Sequence, residues 1–124
     1  MPASKRTAGA RRTPRRRHTW VVAETVELAV RDNPAELRYE LGLGDTIVGE
    51  IRYRLKPGIV VLVHTEVSPS SEGQGLGAML VAGALDDIRA RGLRVVPLCP
   101  FVSAYIRRHP EYADLVGRDS ATPE

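Results

Sequence analysis

The chain has one cysteine, one phenylalanine and one tryptophan in 124 residues, and only 5% of its residues are aromatic. A lone Cys99 excludes any internal disulfide, and with it the small secreted scaffolds that disulfides hold together. Long hydrophobic runs are missing too. The longest, residues 58–63, falls far short of the ~18–20 residues a membrane helix needs and suits a buried strand. The sequence therefore reads as a soluble, cytoplasmic protein without a membrane partner. Acidic residues are absent from the first 17 positions, where Lys5, Arg6, Arg11, Arg12, Arg15, Arg16 and Arg17 contribute +7 of a net +3, leaving −4 for residues 18–124. So basic a segment, with Pro2 and Pro14 and almost nothing apolar, cannot bury enough surface to offset its ordering entropy. Residues 1–19 read as a disordered basic tail, 20–117 as one domain and 118–124 as a C-terminal tail. The tail offers electrostatic contact to nucleic acid or acidic lipid but lacks the interleaved aromatics that stack on bases. No apolar stretch follows its arginines, which excludes a secretory signal, and Pro14 would interrupt the amphipathic helix of a transit peptide.

What is present is ordinary globular material, 43% hydrophobic and 27% charged, enough for one compact core. Val26-Glu27-Leu28-Ala29-Val30 and Leu37-Arg38-Tyr39-Glu40-Leu41 alternate as two short strands or one broken strand about Asp32-Asn33-Pro34. Ile47, Gly49, Ile51 and Tyr53 fall on one face of a half-exposed antiparallel strand that follows a turn at residues 42–45. Lys56-Pro57-Gly58 is a second turn. Ile59-Val60-Val61-Leu62-Val63 does not alternate, as expected of a strand buried on both faces. Leu76, Met79, Leu80, Ala84 and Ile88 recur at helical spacing, with Arg91-Gly92 as the stop and Asp86 and Asp87 on the solvated side. A strand at residues 93–96 follows and ends at Pro97; Pro100 opens a last helix that runs to Arg108. Strand, helix and strand in so short a space make a βαβ unit, with parallel strands and a right-handed crossover.

The sharpest local signal is Gly73-Gln74-Gly75-Leu76-Gly77, between the buried strand and the helix start. Backbone N–H groups there lack intrahelical partners and the helix dipole favours negative charge, a geometry that cradles phosphate. A P-loop is excluded because Gly77 is followed by Ala78-Met79 and not by Lys-Ser/Thr. Gly73, Gly75 and Ala78 match the dinucleotide fingerprint formally. That motif, however, belongs on a first strand with an acidic residue about 20 positions later, and the next strand here ends in Pro97-Leu98-Cys99-Pro100.

In this setting the glycine run resembles the pyrophosphate-binding segment of the GNAT superfamily of N-acetyltransferases, whose pattern is Gln/Arg-x-x-Gly-x-Gly/Ala. Together with His64-Thr65-Glu66-Val67, Pro97-Leu98-Cys99-Pro100-Phe101 and Arg108-His109-Pro110-Glu111-Tyr112, it resembles the minimal, YjdJ-type branch over residues 26–116. Glu72 stands where the superfamily pattern has Gln or Arg, which would leave phosphate binding to the backbone amides of residues 73–78. The resemblance implies an α/β, GNAT-like fold: a mostly antiparallel sheet with one splayed parallel strand pair and two main helices. It implies acetyl-CoA (coenzyme A) as cofactor, held by Val67, Ser68, Gly73, Gln74, Gly75, Leu76, Gly77 and Ala78, and transfer of its acetyl group to an amine acceptor. The backbone N–H of Val67 would face the developing oxyanion, and Tyr105 would be the acid for the departing thiolate.

His64 and Glu66 share a face of one strand, and either could deprotonate an ammonium. An unpaired cysteine is ordinarily a small buried hydrophobe. Cys99 also adjoins a helix N-terminus, with His64 expected nearby across the parallel pair, so a nucleophilic Cys/His arrangement is open as well. Direct attack on acetyl-CoA and passage through acetyl-Cys99 both fit the sequence. So does a coenzyme-binding or redox-sensing protein without transferase activity. His18 and His109 have no partners at metal-ligand spacing, so no metal site is expected. The acceptor segments between the first strands are short, which leaves an open cleft.

Overall fold

The computed structural model describes residues 17–22, 26–69 and 75–117. Six strands form one sheet in chain order: β1 (Arg17–Val22), β2 (Val26–Asn33), β3 (Arg38–Leu43), β4 (Thr46–Lys56), β5 (Ile59–Val67) and β6 (Arg94–Pro97). The first five make an antiparallel meander, and β6 pairs with β5 in parallel across helix α1 (Leu76–Ala90). Helix α2 (Pro100–Arg108) and a 3-10 helix (Pro110–Leu115) complete the described chain. This is the α/β architecture expected from the βαβ pattern. The sheet begins earlier than the charge pattern suggests, because Arg17, His18 and Thr19, read as tail, already belong to β1. Residues 1–16 and 118–124 lie outside the described residues.

Helix α1 lies on one face of the sheet. Its apolar stripe of Leu76, Leu80, Val81, Ala84, Leu85 and Ile88 is buried against Leu28, Val30, Leu41, Ile51 and Leu62. Gly83 fixes how close the helix comes, since a Cβ there would stand 2.7 Å from the Val30 side chain. The opposite face of the sheet has no helix on it among the described residues.

Two bulges change the side-chain phase. In β4, Gly42 pairs with Ile47 and Leu41 with Gly49, so Val48 is an extra residue. As a result Ile47 is 48% exposed and Val48 is buried, a correction to the alternation that put Ile47 on the face of Gly49, Ile51 and Tyr53. A bulge inserts one unpaired residue and thereby resets the period of two. In β5, Arg52 pairs with His64 but Tyr53 with Leu62, which makes Val63 the extra residue. The run of Val60, Val61 and Leu62 is buried, as its lack of alternation implied.

The C-terminal half of α1 is fastened by a buried polar cluster. Tyr39 Oη donates to Asp87 Oδ2 and Tyr53 Oη to Asp32 Oδ1, each at 2.6 Å. Arg91 reaches both carboxylates, at 2.9 Å to Asp32 and 3.0 Å to Asp87. Burial first, and the accepting carboxylate second, push both phenols well above the usual tyrosine range, so they remain neutral donors. Asp87, expected on the solvated side of the helix, is thus a core residue with 3% exposure. Asp86 beside it is half-buried and accepts from Tyr112 Oη at 2.7 Å.

Removing a cation that two buried carboxylates share leaves both without a counter-charge. Loss of a fully buried partner costs ~3–5 kcal/mol, and the one-third exposure of Arg91 reduces this, so Arg91→Ala should lower unfolding free energy by about 2–3 kcal/mol in a denaturant titration. Arg89→Ala, which breaks the exposed Arg89–Asp114 pair, should cost clearly less, because solvent screens that pair. Equal costs would refute the role given to the Arg91 cluster.

Candidate active site

The parallel ladder is short. It runs from Ile59 opposite Arg94 to Leu62 opposite Pro97 and stops there. Pro97 has no N–H to continue it. The next two amides, of Leu98 and Cys99, both donate to the Leu62 carbonyl, at 3.0 and 3.1 Å, and α2 then starts at Pro100. From Val63 to Val67, β5 continues without its parallel neighbour, so the two strands splay.

The gap has available backbone groups. Ser68 N–H bonds the Val48 carbonyl on β4. Because backbone groups alternate sides along a strand, the N–H groups of Thr65 and Val67 point the other way, into the gap.

Facing this gap is the N-terminus of α1. Gly75 caps it in the left-handed conformation (φ 75°), no side chain among the described residues caps it, and the first intrahelical bond runs from Met79 N–H to the Gly75 carbonyl. The amides of Leu76, Gly77 and Ala78 are therefore the helix's free donors, with no acidic residue in the first turn to compete for them. Gly77 lets α2 approach, since a Cβ there would stand 3.0 Å from the Phe101 ring. Thr65, Val67, residues 75–78, Phe101, Tyr105, Arg108 and His109 line a cleft of about 490 Å³. Helix amides and the Arg108 guanidinium make it suited to an anion, and Val67, Leu76 and Phe101 give it apolar walls.

Tyr105 stacks on His109, with ring centroids 4.0 Å apart and planes at 23°. Burial, with smaller contributions from Glu111 and Asp86, raises its phenol above the usual range, so it holds its proton at neutral pH.

A second cleft, of about 520 Å³, opens on the other side of β5. Glu50, Thr65, Glu66, Val67 and Ser68 are among its walls. Thr65 and Val67 border both clefts.

The family model described as GCN5-related N-acetyl-transferase matches residues 38–115. The chain belongs to that family. Its members are N-acetyltransferases, and the match does not single out the YjdJ-type branch. Among solved structures, the solution structure of a GCN5-like candidate N-acetyltransferase from Staphylococcus aureus is 24% identical, with a TM-score of 0.56 over 73% of this chain and 89% of that one. The crystal structure of the ribosomal-protein-S18-alanine N-acetyltransferase from Escherichia coli is 19% identical, with a TM-score of 0.47 over 53% of this chain and 43% of that one. The first likeness supports the GNAT-like fold. Among the curated proteins, none matches significantly.

The site residues expected from sequence divide into four groups. Val67, Gly75, Leu76, Gly77, Ala78 and Tyr105 come together around the first cleft. Glu66 and Ser68 border the second, and Gly73, Gln74 and Glu72 lie outside the described residues. His64 and Cys99 are not brought together. Cys99 Sγ shares a hydrogen bond with Thr65 Oγ1 at 3.2 Å, and His64, the next residue along an extended strand, points to the opposite face. There it is 58% exposed, with Nε2 3.8 Å from Glu66 Oε2. Without the bulge at Val63, position 64 would share the face of Leu62 and turn toward Cys99.

Thr65 and Phe101 were not singled out in the sequence, and an arginine at a helix end, such as Arg108, is by default a surface residue. Helical spacing of Phe101, Tyr105 and Arg108 on one side of α2 was the available signal. Cys99 itself is 4% exposed. A thiol-specific reagent should therefore modify the native protein slowly and react fully once it is unfolded; rapid native modification would contradict this burial.

Proposed function

We propose that the chain is an acetyl-CoA-dependent N-acetyltransferase that transfers acetyl directly to an amine, with the coenzyme in the first cleft and the acceptor in the second. The observation that carries this reading is that Thr65 and Val67 border both clefts, so a thioester on one side of β5 and an amine on the other can meet at the same backbone. The residues present fit the coenzyme: free amides of Leu76, Gly77 and Ala78 and the Arg108 guanidinium suit its phosphates, and the Cβ-free Gly77 lets the Phe101 ring close in as an apolar wall.

When bound, acetyl-CoA supplies an activated acetyl group, whose C–S bond breaks with its electron pair going to sulfur as the amine nitrogen's pair forms the new N–C bond. The Val67 N–H, pointing into the gap, donates to the carbonyl oxygen as it gains charge. Glu66, exposed on the acceptor side, takes the proton the ammonium must lose, directly or through one water. Tyr105, held protonated in the first cleft, would give its proton to the departing sulfur.

The direct route is favoured over acetyl-Cys99 because the thiol is buried, bonded to Thr65 and separated by the strand from His64. Its expected signature is the absence of a covalent acetyl adduct on Cys99 by intact mass after incubation with acetyl-CoA.

Coenzyme A should raise the thermal midpoint of the protein. Arg108→Ala should weaken its Kd about tenfold, roughly 1.4 kcal/mol. Glu66→Gln should leave that affinity unchanged and lower kcat by about 10². If neither coenzyme A nor acetyl-CoA changes the thermal midpoint, the reading fails; coenzyme binding without transfer to any amine would favour a sensor instead.

A further inference from the structure

The face of the sheet opposite α1 carries two adjacent rungs of charge. In register across β2 to β5 stand Arg31, Glu40, Glu50 and Glu66, and beside them Asn33, Arg38, Arg52 and His64. Directly opposed side chains lie about 4.5–5.5 Å apart at Cβ, where like charges repel. The neighbouring arginines answer most of that repulsion. Arg38 bonds Glu40 Oε2 at 2.8 Å and Glu50 Oε1 at 3.0 Å, Arg52 Nε bonds Glu50 Oε2 at 3.0 Å, and Arg31 stands 3.5 Å from Glu40 Oε1. Arg38, Arg31 and Asn33 more than offset the effect of burial on Glu40 and hold it below the usual carboxylate range.

Glu50 thus has a guanidinium on each oxygen and is only 16% exposed. Glu66 ends the rung differently. It is 69% exposed, and among the described residues its ion-pair partner is His64 at 3.8 Å. A ligand entering the second cleft therefore meets one carboxylate without a guanidinium. One rung behind stand the half-exposed Arg52 guanidinium, at 51%, and the His64 imidazole. Three guanidiniums, of Arg31, Arg38 and Arg52, serve the two carboxylates of Glu40 and Glu50, so the surface behind Glu66 carries surplus positive charge.

We propose that the acceptor is a free amino acid, its ammonium at Glu66 and its carboxylate on Arg52 and His64, an inference that rests on the transferase reading above. The spacing is suitable: Glu66 Oε2 and His64 Nε2 are 3.8 Å apart, and neighbouring rungs repeat at about 6.6 Å along the strand. A carboxylate next to the amine gains two nitrogen donors, whereas a diamine or polyamine would set its second cation against the surplus guanidinium. Arg52 is a specificity-determining residue in this arrangement and takes no part in the proton transfer.

The test uses the full chain with acetyl-CoA, reading release of free thiol. The panel contains the common L-amino acids, their methyl esters, their decarboxylated amines and spermidine. Thermal shift with coenzyme A is measured on the same samples. The expected result is a kcat/KM at least tenfold higher for one or more free amino acids than for the matched ester and amine. Arg52→Gln should raise KM for that amino acid about tenfold with kcat within about threefold, erase its advantage over the ester and leave the coenzyme shift intact; Arg52→Lys should recover part of the loss. The ester comparison needs no variant and stands even if Arg52→Gln folds poorly. Preference for spermidine or the decarboxylated amines, or no turnover of any amino acid while coenzyme A still stabilises the protein, overturns the proposal alone. Loss of coenzyme stabilisation in the unmodified chain overturns the transferase reading and the proposal with it.

Discussion

The site depends on where the parallel ladder ends. Pro97 cannot donate, and the two amides after it turn back onto the single carbonyl of Leu62. From that point β5 keeps its antiparallel partner and loses its parallel one. Its inward amides at Thr65 and Val67 are then available to something other than the protein. A ladder one residue pair longer would begin to fill that gap with chain. Because a strand presents its two faces alternately, these few residues also border both sides of the sheet, which is the requirement for two reactants to meet from opposite directions.

Everything else aims at that gap. Helix α1 must lie close and at a fixed angle for its free amides to face it. Gly83 against Val30 sets the closeness, and the Tyr39, Tyr53, Asp32, Asp87 and Arg91 cluster fastens the far end of the helix to β2, β3 and β4. Buried ionic groups of this kind contribute little net stability but make other packings costly, since any shift strands a carboxylate. Position at one end of α1 is thus set by polar contacts at the other.

Much of this was legible in the residues. The non-alternating β5, the glycine turn, the helix after it and the proline-bounded Cys99 segment together mark a βαβ unit whose helix start leaves its first amides without intrahelical partners. These signals are local, and the described part of the unit, β5, α1 and β6, stands where they point. What escaped depends on distant partners or on strand phase. Asp87 reads as a solvated helix residue until Tyr39, 48 positions away, meets it. His64 reads as a partner for Cys99 until the bulge at Val63 shifts its parity, and one inserted residue leaves no compositional trace. The same holds for Ile47 and Val48. Glu66 and His64 share a face, as their spacing implied, and both are exposed there. Register, set by pairing across the sheet, decided which chemistry the strand can offer.

The most direct measurement is a titration of the full chain with coenzyme A followed by amide chemical shifts. The account predicts that the largest changes fall on Leu76, Gly77 and Ala78 and on Thr65 and Val67, with Arg54 on the open face nearly still. Changes confined to the arginine-rich first 17 residues, or centred on the open face, would mean that the anion is held by diffuse charge and not by the splayed strands, and would contradict it.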